Sequence, residues 1–191
     1  MGKYTFTQEW FHTCDFQNAI NAGWFDPSKT WKILEIGCLE GSSSTYFSDH
    51  LMNQPDSRLV CVDPFDSDNP TTPQAKGGSY TKQLFLENMA KSKNGDKMTL
   101  IEKYSSDFYK TNTDTFNLIY IDGSHLVEDV YLDFNECLKI LEPGGIMWMD
   151  DYLCGDGVSV RDCIDKAYDE NKDKLEIIFK RYQIGFKKNN T

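Results

Sequence analysis

The sequence predicts an α/β fold with a mainly parallel sheet. Three observations carry that prediction. Short apolar runs alternate five times with stretches of helical spacing. The first run ends in an acid-glycine turn, Glu35 to Gly41, that opens a Ser-rich helix start. The chain closes on two strand-like runs joined by a tight turn, which adds an antiparallel strand at or near one edge. In the turn, Gly37 lets the backbone bend sharply and Gly41 lets a ligand approach the main chain. Free N–H groups at the helix start can hold an anionic group such as a carboxylate. The turn therefore puts a small-molecule site at the carboxyl edge of the sheet, where open α/β folds bind ligands.

Residues 6–22 carry apolar and aromatic residues at mixed helical spacing and predict one or two helices, within an N-terminal helical segment 1–28 that ends at the Pro27-Ser28 break. Residues 31–36 are the first strand. Residues 42–52 are a helix with Tyr46, Phe47 and Leu51 on one face. The second strand, 58–62, ends at Asp63-Pro64. Residues 65–78, rich in Pro, Gly and polar side chains, form a long loop, the kind that is usually functional or mobile, and a candidate lid. A helix over 80–89 and a strand over 98–102 follow. Residues 116–121 are an apolar run fit for a strand covered on both faces. Residues 127–141 form a helix with Val130, Phe134, Cys137, Leu138 and Leu141 on its apolar side, closed by Glu142-Pro143-Gly144-Gly145. A strand over 146–149, a helix over 158–169 and strands over 175–179 and 183–186 complete the chain.

The 191 residues suit one domain, 1–191. No apolar run has membrane-spanning length, and the N-terminus lacks a basic, hydrophobic leader pattern, so the expectation is a soluble cytoplasmic protein with no membrane partner. The net charge of −10 disfavours a nucleic acid partner. Cys14, Cys38, Cys61, Cys137, Cys154 and Cys163 show neither C-x-x-C nor zinc spacing. They read as reduced core or near-core thiols, with a disulfide framework or a nucleophilic cysteine as the alternatives.

Three constellations could carry chemistry. The first is Glu35-x-Gly37-x-x-x-Gly41 together with Asp63 at the end of the second strand. This spacing is not the G-x-G-x-x-G of nicotinamide sites. An acid at Asp63 can accept both ribose hydroxyls of an adenosine; the plainer alternative is a structural turn and a turn former before Pro64. The second is Asp122-Gly123-Ser124-His125 after the fourth strand and Asp150-Asp151-Tyr152 after the fifth. Carboxylates gathered in one place repel and shift one another, and a hard divalent cation such as Mg²⁺ relieves them. Alternatively, Asp122 and Asp150 cap strand ends with no metal. The third is His125, whose neutral imidazole could take a proton from a hydroxyl near pH 7; its rival role is a hydrogen bond to Asp122 or to backbone.

Several runs, taken in order, resemble a class I S-adenosylmethionine-dependent methyltransferase. They are Leu-Glu-Ile-Gly-Cys-Leu-Glu-Gly-Ser-Ser, Val-Cys-Val-Asp-Pro-Phe, Leu-Ile-Tyr-Ile-Asp-Gly-Ser-His, Leu-Glu-Pro-Gly-Gly-Ile and Met-Asp-Asp-Tyr. Within that superfamily they are similar to the metal-dependent catechol and macrolide-sugar O-methyltransferase-like branch, and to its small-domain family with cephalosporin hydroxylase-like members. The opening Tyr-Thr-Phe-Thr-Gln-Glu-Trp-Phe resembles the same family.

The resemblance implies a Rossmann-like three-layer sandwich with a mostly parallel seven-stranded sheet and an antiparallel C-terminal hairpin strand. It implies S-adenosyl-L-methionine as cofactor, with Glu35, Gly37, Gly41 and Ser43 along its methionine part and Asp63 on its ribose. Ser105 and Ser106, with Asp107, would border the adenine. Asp122 would adjoin the cofactor, and Asp122, Asp150 and Asp151 would bind Mg²⁺ or another divalent cation. His125 stands where the catechol enzymes place a lysine base, and Ser124 where sugar enzymes can carry an acid, so catalysis would fall to His125 and Asp122. The implied activity is methylation of a hydroxyl on a sugar, for example a deoxyhexose, or on another small molecule, and a homodimer is left open. Methylation of RNA or protein is a second reading, opposed by the acidic balance and by the lack of an aromatic-basic tract. A non-catalytic binding or assembly domain is a third, although a scaffold has no need of clustered acids.

Overall fold

The computed structural model describes residues 3–8, 10–11, 13–66, 78–154 and 158–190. Its strands are β1 (Lys32–Ile36), β2 (Arg58–Val62), β3 (Met98–Ile101), β4 (Phe116–Ile121), β5 (Leu141–Met149), β6 (Leu175–Lys180) and β7 (Ile184–Lys188). They form one seven-stranded sheet in the order β3-β2-β1-β4-β5-β7-β6. The strands from β1 to β5 pair in parallel, and β7 runs antiparallel to both β5 and β6. The order reverses between β1 and β4, and ligands of open sheets bind beyond the carboxyl ends at such a reversal.

The helices are α1 (Thr13–Asn21), α2 (Ser42–His50), α3 (Gly78–Lys91), α4 (Ser105–Thr111), α5 (Val127–Ile140) and α6 (Val158–Asp169). Alternation along the strands sorts the core into two layers. Leu34, Ile36, Val60, Val62, Ile119, Ile121, Met147 and Met149 face Phe108, Phe134, Leu138 and Ile164 of α4, α5 and α6. Ile33, Leu59, Cys61, Leu118, Tyr120, Ile146 and Trp148 face Phe16, Phe47 and Phe85 of α1, α2 and α3. In α5, Val130, Phe134, Cys137 and Leu138 share one side at helical spacing and are buried. The result is a three-layer α/β sandwich. Among the described residues, no helix is long and apolar enough to cross a membrane.

The structure departs from the sequence expectation at three places. Helix forms only from Thr13; residues 3–8 and 10–11 have no regular structure. Side chains take the place of a helical ladder at Thr5 and Thr7. Asn88 accepts from Thr5 N at 2.9 Å and donates to Thr5 O at 2.8 Å, and Glu40 accepts from Thr7 N at 2.5 Å. Helix α4 was not foreseen, because seven residues with one buried side chain, Phe108, carry no periodic signal. The Glu-Pro-Gly-Gly turn does not precede β5 but bulges within it: Phe116 pairs Leu141, and the ladder resumes at Leu118 and Ile146. The proposed lid over 65–78 lies outside the described residues, except for its ends.

Gly185 of β7 lies against the fully buried Trp148, whose indole N–H donates to Gln183 at 2.7 Å and whose ring stacks on Phe179 at 4.7 Å. A Cβ at Gly185 would sit 2.5 Å from that indole. Gly185→Ala should therefore lower stability by about 1–3 kcal/mol in urea denaturation, the usual cost of overpacking. An unchanged midpoint would mean that the indole shifts freely.

Candidate functional site

The parallel ladders run one residue past the strands and align the next residues in a row. Gly37 N donates to Val62 O at 2.9 Å, Asp122 N to Ile36 O at 2.8 Å, and Asp150 N to Ile121 O at 2.9 Å; Asp63 N reaches Ile101 O at 3.2 Å. Asp63, Gly37, Asp122 and Asp150 thus stand side by side on the carboxyl rim. Gly37 has φ +80°, and a Cβ there would overlap the Asp122 carbonyl oxygen. Only glycine lets the two chains approach so closely at the reversal.

The turn after Gly37 is held by Asp63. One carboxylate oxygen accepts from Cys38 N and Leu39 N, both at 2.9 Å, and the other from Phe65 N at 2.7 Å. These bonds accompany two non-glycine residues with positive φ, Leu39 at 44° and Phe65 at 48°. Gly41, at φ +83°, serves packing here, since the Phe85 ring would lie 3.0 Å from a Cβ. Glu35 departs from its expected position on the cofactor. Strand alternation turns it under α2, where it is fully buried and accepts from Ser43 Oγ and, at 2.5 Å, from Ser44 Oγ. Cys61 Sγ donates to it at 3.3 Å. Burial pushes its carboxyl up to about 7, against the pull of those donors. Glu35 anchors the helix start; the cavity wall belongs to its partner Ser43 and to Cys38, Leu39 and Ser42.

Tyr120 ends on two acids. Its hydroxyl lies 2.5 Å from Asp150 Oδ2 and 3.1 Å from Asp122 Oδ2. One hydroxyl proton cannot fully serve two carboxylates. Burial first, and then the charges of Asp150 and Asp151, hold Asp122 well above the usual carboxylate range; burial and Asp151 raise Asp150. Asp151 differs. Burial alone would raise it, but hydrogen bonds from His125 Nε2 at 2.7 Å and Tyr182 OH at 2.6 Å leave it below its ordinary value. The same bond to Asp151 raises His125, against burial. His125 therefore bonds Asp151, not the Asp122 or backbone partner considered from sequence.

The metal expectation does not match this geometry. Asp150 and Asp122 share Tyr120, while Asp151 turns to His125 and Tyr182. Among the described residues, the donor atoms that gather within 4.8 Å of one another are those of His125, Asp151 and Cys154, not of the three aspartates. Asp122, Asp150 and Asp151, the oxygen set that Mg²⁺ would require, do not bring one ligand atom each within that distance.

The carboxyl rim opens on one cavity of about 740 Å³, within the usual range for small-molecule sites. Gly37, Ser43, Asp63 and the turn line one side; Asp122, His125, Asp150 and Asp151 line the other. Ser105 and Ser106 at the start of α4 border it, with Asp133, whose carboxyl burial pushes up to about 6. Asp107 is exposed and paired with Lys110. Gln8, Trp10 and Phe11 supply a wall from the N-terminal segment. Sequence reasoning missed that wall, and it missed Tyr120, Tyr182 and Cys154. Tyr120 looked like core, and Tyr182 lies in a hairpin turn whose place over β5 only the sheet order sets. Cys38, Cys61, Cys137, Cys154 and Cys163 are free thiols, and Cys154 is only partly buried.

Residues 34–152 match the family described as a methyltransferase domain, and the chain belongs to that family. No curated protein matches the sequence. Among solved structures, the O-methyltransferase TomG of Streptomyces achromogenes, from tomaymycin synthesis and in complex with SAM, superposes with a TM-score of 0.67 at 15% identity, over 92% of this chain and 80% of that one. CalS11, a TDP-rhamnose 3'-O-methyltransferase of calicheamicin biosynthesis, gives 0.61 at 16%, over 92% and 79%. An O-methyltransferase from Bacillus cereus in complex with SAH gives 0.60 at 14%, over 92% and 90%. At these identities the likeness is one of fold.

Glu35 gives a pH test. Its folded-state value of about 7 exceeds the ordinary 4.5, so its contribution to stability is complete below pH 4.5 and is lost as pH rises through 7. The full loss is roughly 3 kcal/mol. Denaturation of wild type and Glu35→Gln at pH 4.5 and pH 8 should show the wild type losing ground to the variant at the higher pH. A constant difference would mean that Glu35 is not strained by burial.

Proposed function

We propose that the protein is an S-adenosylmethionine-dependent O-methyltransferase acting on a hydroxyl of a sugar, such as a deoxyhexose, or of another small molecule. The observation that carries this is the single cavity with Asp63 and the glycine turn on one side and the His125–Asp151 pair on the other. The printed activities of TomG and CalS11 support it by analogy of fold. The sugar preference rests on that analogy and on the sequence resemblance.

The residues fit the cofactor. Asp63 accepts three turn amides, two on Oδ2 and one on Oδ1, and so keeps about one lone pair, on Oδ1, for a ribose hydroxyl. Ser105 and Ser106 border the far end. Bound S-adenosylmethionine would supply a methyl on a sulfonium whose charge vanishes on transfer, so no leaving group needs a proton. The chain must then generate an oxygen nucleophile. His125 accepts the hydroxyl proton, while Asp151 orients the ring and stabilises the imidazolium. The cavity walls align acceptor and cofactor, and alignment supplies much of the rate. The metal-assisted version would hold Mg²⁺ on Asp122, Asp150 and Asp151 to make the hydroxyl more acidic, and His125 is the base with or without it.

Calorimetry with S-adenosylmethionine should show binding, and Asp63→Ala should weaken it about 10- to 100-fold, the worth of charge-assisted hydrogen bonds. Labelled methyl transfer to a panel of nucleotide sugars and phenols, with and without Mg²⁺, tests turnover. His125→Ala should cut kcat by about 100-fold or more with cofactor affinity retained. Turnover untouched by that change would remove His125 as base. Cofactor binding with no hydroxyl methylated would favour a binding module.

A further inference from the structure

The reaction proposed above uses two members of a three-member donor set. His125 follows β4, and Asp151 and Cys154 follow β5. An imidazole nitrogen, a carboxylate oxygen and a thiol sulfur from these residues all lie within 4.8 Å of one another. Several contacts build the cluster. Cys154 N donates to Asp151 O at 3.0 Å, closing a turn in which Asp151 has φ +56°. Tyr182 OH holds Asp151 Oδ1 at 2.6 Å, which leaves Oδ2 for His125. All three residues line the cavity and are partly buried.

We propose that His125, Asp151 and Cys154 bind a borderline transition ion such as Zn²⁺, and that they do so in preference to Mg²⁺. The donor set decides the class. Mg²⁺ requires oxygen ligands in an octahedron, whereas imidazole and thiolate suit zinc and cobalt. The spacing also fits. Zinc donors at about 2.0–2.3 Å in a tetrahedron stand roughly 3.3–3.8 Å apart. The 2.7 Å contact between His125 and Asp151 need open by only about 1 Å to admit the ion. Three protein ligands leave a fourth position for a water or a ligand from the cavity, as in open zinc sites. Tyr182 is the outer partner that fixes the carboxylate. Asp122 and Asp150, committed to Tyr120, take no part.

One consequence rests on the mechanism above: an ion on His125 Nε2 occupies the base pair, so zinc should inhibit methyl transfer. The binding itself does not rest on it.

The test is titration of the chelator-stripped protein with CoCl₂. The expected result is a thiolate-to-cobalt charge-transfer band in the near ultraviolet together with intense visible bands of a tetrahedral ion. Cys154→Ser should abolish the charge-transfer band and weaken binding by more than the roughly 10- to 100-fold that loss of an outer partner costs. Asp122→Asn should keep both features, and Zn²⁺ but not excess Mg²⁺ should displace the cobalt. No charge-transfer band in the wild type, a band surviving in Cys154→Ser, or displacement by Mg²⁺ would overturn the proposal. A cobalt band with these properties alongside turnover indifferent to zinc would uphold the site and count against His125 as base.

Discussion

The site depends on the register of four parallel strands. Because β2, β1, β4 and β5 end at the same level, the next residue of each falls into one row: Asp63, Gly37, Asp122 and Asp150. A slip of one residue in any ladder would move an acid off the rim and turn each side chain of that strand into the opposite core layer. The tightest point is the approach of Gly37 to the Asp122 main chain, where no side chain fits. The row brings the turn that would cradle a cofactor next to the acids that would face an acceptor.

Gathering that much negative charge has to be offset locally. Asp63 accepts from three backbone N–H groups of the turns it holds. Asp151 is served by His125 and Tyr182. Asp122 has mainly Tyr120, Asp150 has Tyr120 and the Asp151 N–H at 2.7 Å, and burial with neighbouring charge still drives both carboxyls up. The imbalance divides the rim into a settled pair, His125–Asp151, and a strained pair, Asp122–Asp150. Glu35 is a separate case, spent under the sheet to tie the start of α2 rather than to touch a ligand.

The N-terminal segment is part of this arrangement. Glu40, inside the glycine turn, bonds both the backbone N–H and the hydroxyl of Thr7, and Asn88 of α3 ties Thr5 to the Glu40 carbonyl at 2.9 Å. Phe11 and Phe16 then pack on Tyr120 with ring centroids 6.0 and 5.4 Å away. The ring beneath the acids and the wall beside them are therefore fixed by the same aromatic cluster.

Sequence alone determined the alternation of strands and helices, the strand ends at Ile36, Val62 and Ile121, the glycine turn and the acids that follow the strands. These are local matters: apolar runs, turn residues and periodicity write them directly into the chain. It also pointed to the methyltransferase resemblance that the family match bears out. What it did not contain was direction and company. Whether Glu35 faces a ligand or a helix depends on strand alternation against a particular layer. Whether Asp151 joins Asp122 or His125 depends on a positive-φ turn and on Tyr182, which arrives from a hairpin 31 residues away. Helix α4 and the irregular N-terminus were equally hidden, because a seven-residue helix and a segment held by distant side chains owe their form to contacts made only after the sheet assembles.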